Sequence, residues 1–449
     1  MMVGLGLIGC DKIIEVHTPV DQLVSSTIFQ DSVTAQTAIN GLYSAMYNSP
    51  GGTYSGFYKA NSSILPGESA DELAPQTSSL DDFFNNSLQP GNTNVTGIWG
   101  DSYNLIYIAN SIIEGSQGSS TLTTTLKQQL TAEAKFIRAF CHFYLVNYFG
   151  KVPLITTTLV SSTNTAPATS ADSVYLQIIK DLTEARDALA TDYSWSGGDR
   201  TRVNSWTASA MLARVYLYTS QWALAEAEAT KVIGNTGLYT LVTDPNQVFL
   251  ANSQEAIWQF YTNVLGYTYM ALETYPSGLS VPTYALNNIL YNAFESGDLR
   301  KTDWIDSVAV SGTYYTFPYK YKANTNTGTE YAMVLRLGEQ YLIRAEARAQ
   351  QNNVAGAQAD LDVIRTRATL PATTASDKAS LLLAIEHERQ VELFLEWGDR
   401  WLNLKRTARA DAVLGMEKPA GWQATDTLYP IPQSAISTNP NLVQNNGYN

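Results

Sequence analysis

The sequence predicts a mainly α fold: a tetratricopeptide-like helical solenoid of about four helix pairs, with long loop-rich insertions carrying short strands. Three observations predict it. Apolar residues recur at helical spacing over most of the chain. One small-residue pattern occurs twice at a fixed offset. Stretches rich in Gly, Ser, Asn and Pro interrupt the periodic segments, marking insertions between helices.

Taken in order, Ser32 to Tyr47 opens with a Ser/Asp cap and aligns Ala35, Ile39, Leu42, Ala45 and Met46 on one face. Ile98 to Ile113 carries Trp99, Ile106, Ala109, Ile112 and Ile113, and is expected to pair with the first helix. Leu126 to Phe149 is a long helix with a mostly apolar second half, pairing with amphipathic Val174 to Leu189. Leu212, Ala213, Tyr216, Trp222, Ala225, Ala229 and Val232 have the spacing by which small residues let two antiparallel helices approach. The spacing returns 132 residues later at Ala345, Val354, Ala357, Leu361 and Ile364. Stacked units of this kind form a solenoid whose insertions project on one side. A helix over 386–406 follows, with carboxylates and arginines three to four positions apart, so that they pair along one face. Mutual satisfaction of buried charge is the favoured account of that pattern.

Residues 1–26 are expected to be a signal remnant and tether, and 27–449 one domain with halves 27–234 and 235–449. The insertion at 49–97 holds Tyr54, Phe57, Tyr58, Phe83 and Phe84. The insertion at 235–330 holds 11 of the 27 tyrosines plus Trp258 and Trp304. It includes strand-like runs Ala256–Tyr261 and Tyr314–Tyr319 and a helix expected over Thr283–Phe294. Loops this long in a compact domain serve function or are disordered, and their aromatic content argues against disorder.

A net charge of −13 offers no basic stripe to displace counterions from nucleic acid, and none to dock on anionic lipid. Association with a membrane would therefore be covalent. Leu7-Ile8-Gly9-Cys10 looks like a bacterial lipobox, which makes Cys10 the expected lipidation site. No basic n-region precedes it, so the true precursor start is expected elsewhere. Cys141 sits in an apolar helical stretch and reads as an inert core thiol. Three scattered histidines give no metal motif, and neither a nucleophile elbow nor a phosphate loop occurs, so neither cofactor nor metal is expected.

The segment Glu388-Arg389, Glu392-Leu393, Glu396-Trp397-Gly398, Arg400-Trp401, Leu404-Lys405-Arg406 precedes a proline-pinned tail, Leu428-Tyr429-Pro430-Ile431-Pro432, then Asn439-Pro440-Asn441-Leu442. Together these closely resemble the C-terminal signature of the SusD/RagB family. Trp99-Gly100-x-x-Tyr103, Ala132-Glu133-Ala134-Lys135-Phe136-Ile137-Arg138-Ala139, Phe149-Gly150-x-Val152-Pro153-Leu154, Asp298-x-Arg300 and Arg344-Ala345-Glu346-Ala347 extend the resemblance in order along the chain. Asn403 departs from it, standing where an aspartate often precedes Leu-x-Arg. The resemblance implies a non-catalytic outer-membrane lipoprotein of Bacteroidota that binds oligosaccharide or polysaccharide at the cell surface. Its partner would be a SusC-like TonB-dependent transporter, above which it would act as a lid. The alternative is a tetratricopeptide scaffold that binds peptides or proteins, as in peptide import.

Sugar binding needs flat apolar faces for the C–H side of a pyranose, with polar side chains for its hydroxyls. The candidates are Tyr54, Phe57, Tyr58, Asp81 and Phe83 in the first insertion, Trp99 after it, and Tyr261, Tyr267, Tyr269, Tyr275 and Trp304 in the second.

Overall fold

The structure is a computed structural model that describes residues 28–47, 56–76, 81–262 and 265–448. Eleven helices carry the argument: α1 (Ser32–Tyr47), α2 (Ser62–Ser69), α3 (Thr93–Gly118), α4 (Thr124–Phe149), α5 (Ala171–Ala188), α6 (Ser205–Tyr218), α7 (Trp222–Gly234), α8 (Leu337–Gln350), α9 (Val354–Arg367), α10 (Lys378–Glu392) and α11 (Asp399–Arg406). From α3 to α9 each helix packs on the next of the series, and α10 closes the row against α8 and α9. This is the predicted solenoid. Side-chain caps at Asn92, Thr123 and Ser170, and capping boxes at Asn204 and Asp377, set the starts of α3, α4, α5, α6 and α10. The repeated small residues Ala225, Ala229, Ala345 and Ala357 are fully buried, as close helix approach requires.

The pairing differs from expectation at the first helices. The chief partner of α3 is α4, and α1 lies across both. A connection of only five residues joins these two long helices, so they fold back on each other before any distant helix can compete.

Ion pairs tie the row together. Arg138 on α4 meets Asp181 on α5, and Arg214 on α6 meets Glu339 on α8, at 2.6–2.8 Å in each case. Arg344 holds Asp360, and Arg406 holds Glu346.

Among the described residues the strands that matter are β1 (Leu73–Pro75), β2 (Ala256–Phe260), β3 (Tyr284–Leu286), β4 (Ile305–Val310), β5 (Thr313–Pro318) and β6 (Ala332–Arg336). They form antiparallel pairs β1–β3, β2–β6 and β4–β5. The last is a hairpin whose two turn residues, Ser311 and Gly312, both have positive φ, matching the right-handed strand twist.

Three expectations are corrected. Thr283–Phe294 is not one helix: β1 recruits β3, and Asn287 then caps a short helix over Asn288–Ala293. The helix expected over 386–406 breaks between α10 and α11, where Leu395, Trp397 and Gly398 all have positive φ. There the carbonyls of Glu392 and Phe394 turn onto the Lys320 ammonium at 2.9 and 2.8 Å, and the Trp397 indole donates to the Met333 carbonyl. Finally, the first insertion is no projecting loop around α2. Every residue of that helix is buried, and Phe57 and Tyr58 pack on Tyr144 of α4.

Candidate functional site

Burial removes four of the candidates from solvent. Phe57 and Tyr58 are in the core, and the Tyr58 hydroxyl is taken up by Ser102 at 2.8 Å. Phe83 is buried edge-on to Tyr429. Trp304 is wholly buried, its indole N–H donating to the Pro245 carbonyl at 3.0 Å. These rings are apolar mass for packing and cannot reach a ligand. Tyr275 is half-buried at the base of the β4–β5 hairpin, against Phe317 and Tyr319, with its hydroxyl donating to the Lys322 carbonyl. Trp99 is half-buried on α3 beside Tyr103 and Phe149. Tyr54 lies outside the described residues, as do Cys10 and the side chain of Asp81, which opens the short helix Asp81–Phe84.

The surroundings of Trp304 show what the Glu/Arg pattern builds. Arg300 binds Asp298, Glu388 and Glu392; Arg336 binds Glu255, Glu392 and Glu396; Arg367 binds Glu255 and Glu392. All eight side chains are buried or nearly so, and Trp304 packs beneath Lys320, Arg336 and Arg367. Although burial opposes ionisation, Arg367, Arg336 and Arg300 hold the Glu392 carboxyl well below the usual carboxylate range. This is a structural network, closed to solvent.

Tyr261 has a different environment. It follows β2, is 49% exposed, and stands edge-on to Tyr331 at 5.1 Å. With Phe260 it lines an open cleft of about 380 Å³, whose other walls are Gln36, Asn40, Tyr43 and Ser44 of α1 and Trp195 and Arg202 of the loop before α6. The loop is pinned to the strand: the Tyr193 hydroxyl donates to the Ile257 carbonyl at 2.8 Å. Two residues on, Trp195 is half-buried, with the Arg202 guanidinium 5.9 Å from its ring.

The floor is equally fixed. Glu133, fully buried on α4, accepts from Tyr43 at 2.7 Å, Gln129 at 2.8 Å and Arg202 at 2.6 and 3.0 Å. Burial and the Glu133 charge raise the Tyr43 phenol well above its ordinary value, so it remains a neutral donor. Burial disfavours the Arg202 cation, but Glu133 outweighs it and raises the guanidinium value. Tyr47 stacks on Phe260 at 5.1 Å and accepts from the Tyr269 amide at 3.0 Å, which sets half-buried Tyr269 next to the strand that leads into the cleft. Tyr267 is half-buried two residues earlier. The arrangement is a rigid trough with aromatic faces and exposed amide and hydroxyl groups at Asn40 and Ser44. Of the candidates only Tyr261 lines it. Trp195 and the α1 residues were missed, although a lone Trp in the short polar loop Ser194-Trp195-Ser196-Gly197-Gly198 is a readable signal.

Two family models match the chain. "Starch-binding associating with outer membrane" matches residues 16–217, which contain the α1 and Trp195 walls; "SusD family" matches 260–448, beginning at Phe260 and Tyr261. The chain belongs to the SusD/RagB family. Among curated SusD relatives, it is 27% identical to SusD-like protein P2 of Formosa agariphila, over 99% of this chain and 98% of that one. It is 25% identical to a SusD-like protein of Bacteroides ovatus, over 86% and 78%. A solved laminarin binding SusD-like protein superposes with TM-score 0.79 at 25% identity, covering 94% of this chain and all of that one. A SusD superfamily structure from Bacteroides vulgatus gives TM-score 0.81 at 20% identity and shares the fold.

Proposed function

We propose that this SusD-family chain is a non-catalytic glycan-binding protein that faces outward from the outer membrane. It is anchored by lipid on Cys10 and delivers oligosaccharide or polysaccharide to a SusC-like TonB-dependent transporter. One observation carries the binding part: the trough lined by Tyr261 and Trp195 together with the polar groups of Gln36, Asn40 and Ser44. Ring faces take the apolar side of a pyranose at little cost in side-chain entropy, and the amides and hydroxyls bond its rim. A shallow trough holds its ligand weakly enough to release it into a transporter. Family membership and the laminarin-binding neighbour support the ligand class. Among the described residues no helix is long and apolar enough to cross a membrane.

Affinity electrophoresis tests the binding reading. Gels containing laminarin or another β- or α-glucan should retard the wild type, and Trp195→Ala/Tyr261→Ala should lose most of that retardation while keeping its melting temperature. Unchanged retardation in the double variant would remove the trough from the account. Release of reducing ends over hours would contradict the non-catalytic assignment.

A second reading has its own observation. A groove of about 480 Å³ between α6, α8, α10 and α11 exposes Leu383 beside Trp222, Glu386 and Arg409. A peptide or protein partner would use that groove, and Leu383→Asp would then impair binding without affecting glycan retardation.

A further inference from the structure

A second aromatic face lies on α3. Trp99, Tyr103 and Tyr107 follow at four-residue steps, about 6 Å apart along the axis and on one side of the helix. They line a cleft of about 310 Å³ whose opposite wall is the C-terminal tail, through Thr438, Asn439 and Leu442. Tyr107 also lines a recess of about 410 Å³ that continues along the same helix past Ser111 and Glu114 to Gly118. The two hollows share Tyr107 and follow one another along α3 from Trp99 to Gly118, about 29 Å at the helical rise.

The groove is built rather than incidental. Trp99 is held edge-on against Phe149 at 5.1 Å, and the Tyr103 hydroxyl donates to the Pro153 carbonyl at 2.8 Å. Tyr107 is 56% exposed although it is a large ring in the middle of a packed helix. Glu114 accepts from the Thr157 hydroxyl at 2.6 Å and the Thr158 amide at 3.0 Å. The tail wall is fixed as well, since Asn439 donates to the Ala166 carbonyl at 2.8 Å. The remaining polar lining consists of hydroxyls and amides, Asn164 and Thr163 among them, and neither Lys nor Arg lines either hollow. That chemistry suits an uncharged, hydroxyl-rich chain and disfavours an anionic one, which would meet the Glu114 carboxylate in a lining that presents no Lys or Arg side chain.

We propose that this groove is a second, extended binding site for a neutral glycan several sugar units long. The proposal rests on the glycan reading of the trough. Two weak sites on one chain would retain a polymer far better than either alone, because the second contact forms at high effective concentration.

The test is calorimetric titration of the full chain with a panel of neutral hexasaccharides (laminari-, cello-, malto- and mannohexaose), followed by the polymer of whichever binds. The wild type should bind two hexasaccharides. Tyr107→Ala, an exposed change that leaves the core intact, should reduce this to one and weaken polymer binding roughly tenfold. Trp195→Ala/Tyr261→Ala should keep one weaker site, abolished by adding Tyr107→Ala. One hexasaccharide per wild-type chain, with Tyr107→Ala indistinguishable from it, would overturn the groove and leave the trough standing. Two sites surviving in Tyr107→Ala would overturn it too. Binding of no panel member would refute both readings. Loss of a transporter or peptide contact in Tyr107→Ala, with glycan stoichiometry unchanged, would reassign the groove to a protein partner.

Discussion

Trp304 and Trp195 each lie about 5.9 Å from an arginine guanidinium, yet one is sealed and the other lines an open trough. Around Trp304 the arginine belongs to a buried network with three further ion-paired cations and Glu392 at its centre. Around Trp195 the arginine is held by one carboxylate, Glu133, and the ring stays half-buried in the lining of an open cleft. The cation contact is the same; what differs is how many groups close over it. A contact type therefore does not distinguish packing from binding, whereas the completeness of the shell does.

The largest effect should come from the sealed region. Glu392→Ala leaves Arg300, Arg336 and Arg367 short of a shared buried partner and should cost about 3–5 kcal/mol of stability in urea denaturation. Because the folded-state Glu392 value is depressed, its contribution is present above the ordinary carboxylate value of 4.5 and is lost as pH falls through the folded value. The gap between wild type and variant should therefore narrow in acid. If the gap held constant down to pH 3, the ionised network would not be the source of that stability.

Gly398→Ala should come next, at roughly 1–3 kcal/mol. Its φ is +70°, and a methyl group there would meet Pro66 Cγ at 2.8 Å and the Tyr148 hydroxyl at 2.9 Å. A pH-dependent effect is expected at Lys405, which burial pushes down to about 7. Below that pH the folded chain must hold a buried cation. Between about 7 and the unfolded value of 10.5 only the unfolded chain is protonated, so wild-type stability gains with rising pH. Lys405→Met should thus be most stabilising near pH 6 and lose its advantage by pH 10 in thermal melts. The smallest stability effect belongs to the open region: Tyr261→Ala should move stability by no more than about 0.5 kcal/mol. Its consequence should instead be in glycan affinity, weakened roughly tenfold by titration.

The contrast also explains what the sequence could convey. Helical periodicity placed the solenoid helices because each buries its own stripe, a property local to the segment. The sealed network was legible in Glu388, Glu392 and Glu396, whose spacing already implied mutual pairing. The break at Leu395 to Gly398 was not, since its cause is Lys320, 72 residues from Glu392 in sequence. Phe57, Tyr58 and Trp304 look as sugar-ready in sequence as Tyr261, and only the elements folded over them decide otherwise. Trp195 sits in a short loop between two solenoid helices, and its place in the trough depends on α1 and the end of β2, which are remote from it in sequence.

The most direct measurement is the crystal structure of this chain with a bound oligosaccharide from the panel that it retains. A sugar ring laid on Trp195 or Tyr261, with its hydroxyls meeting Gln36, Asn40 or Ser44, is the predicted result. An empty trough, with the sugar bound only elsewhere on the molecule, would contradict it.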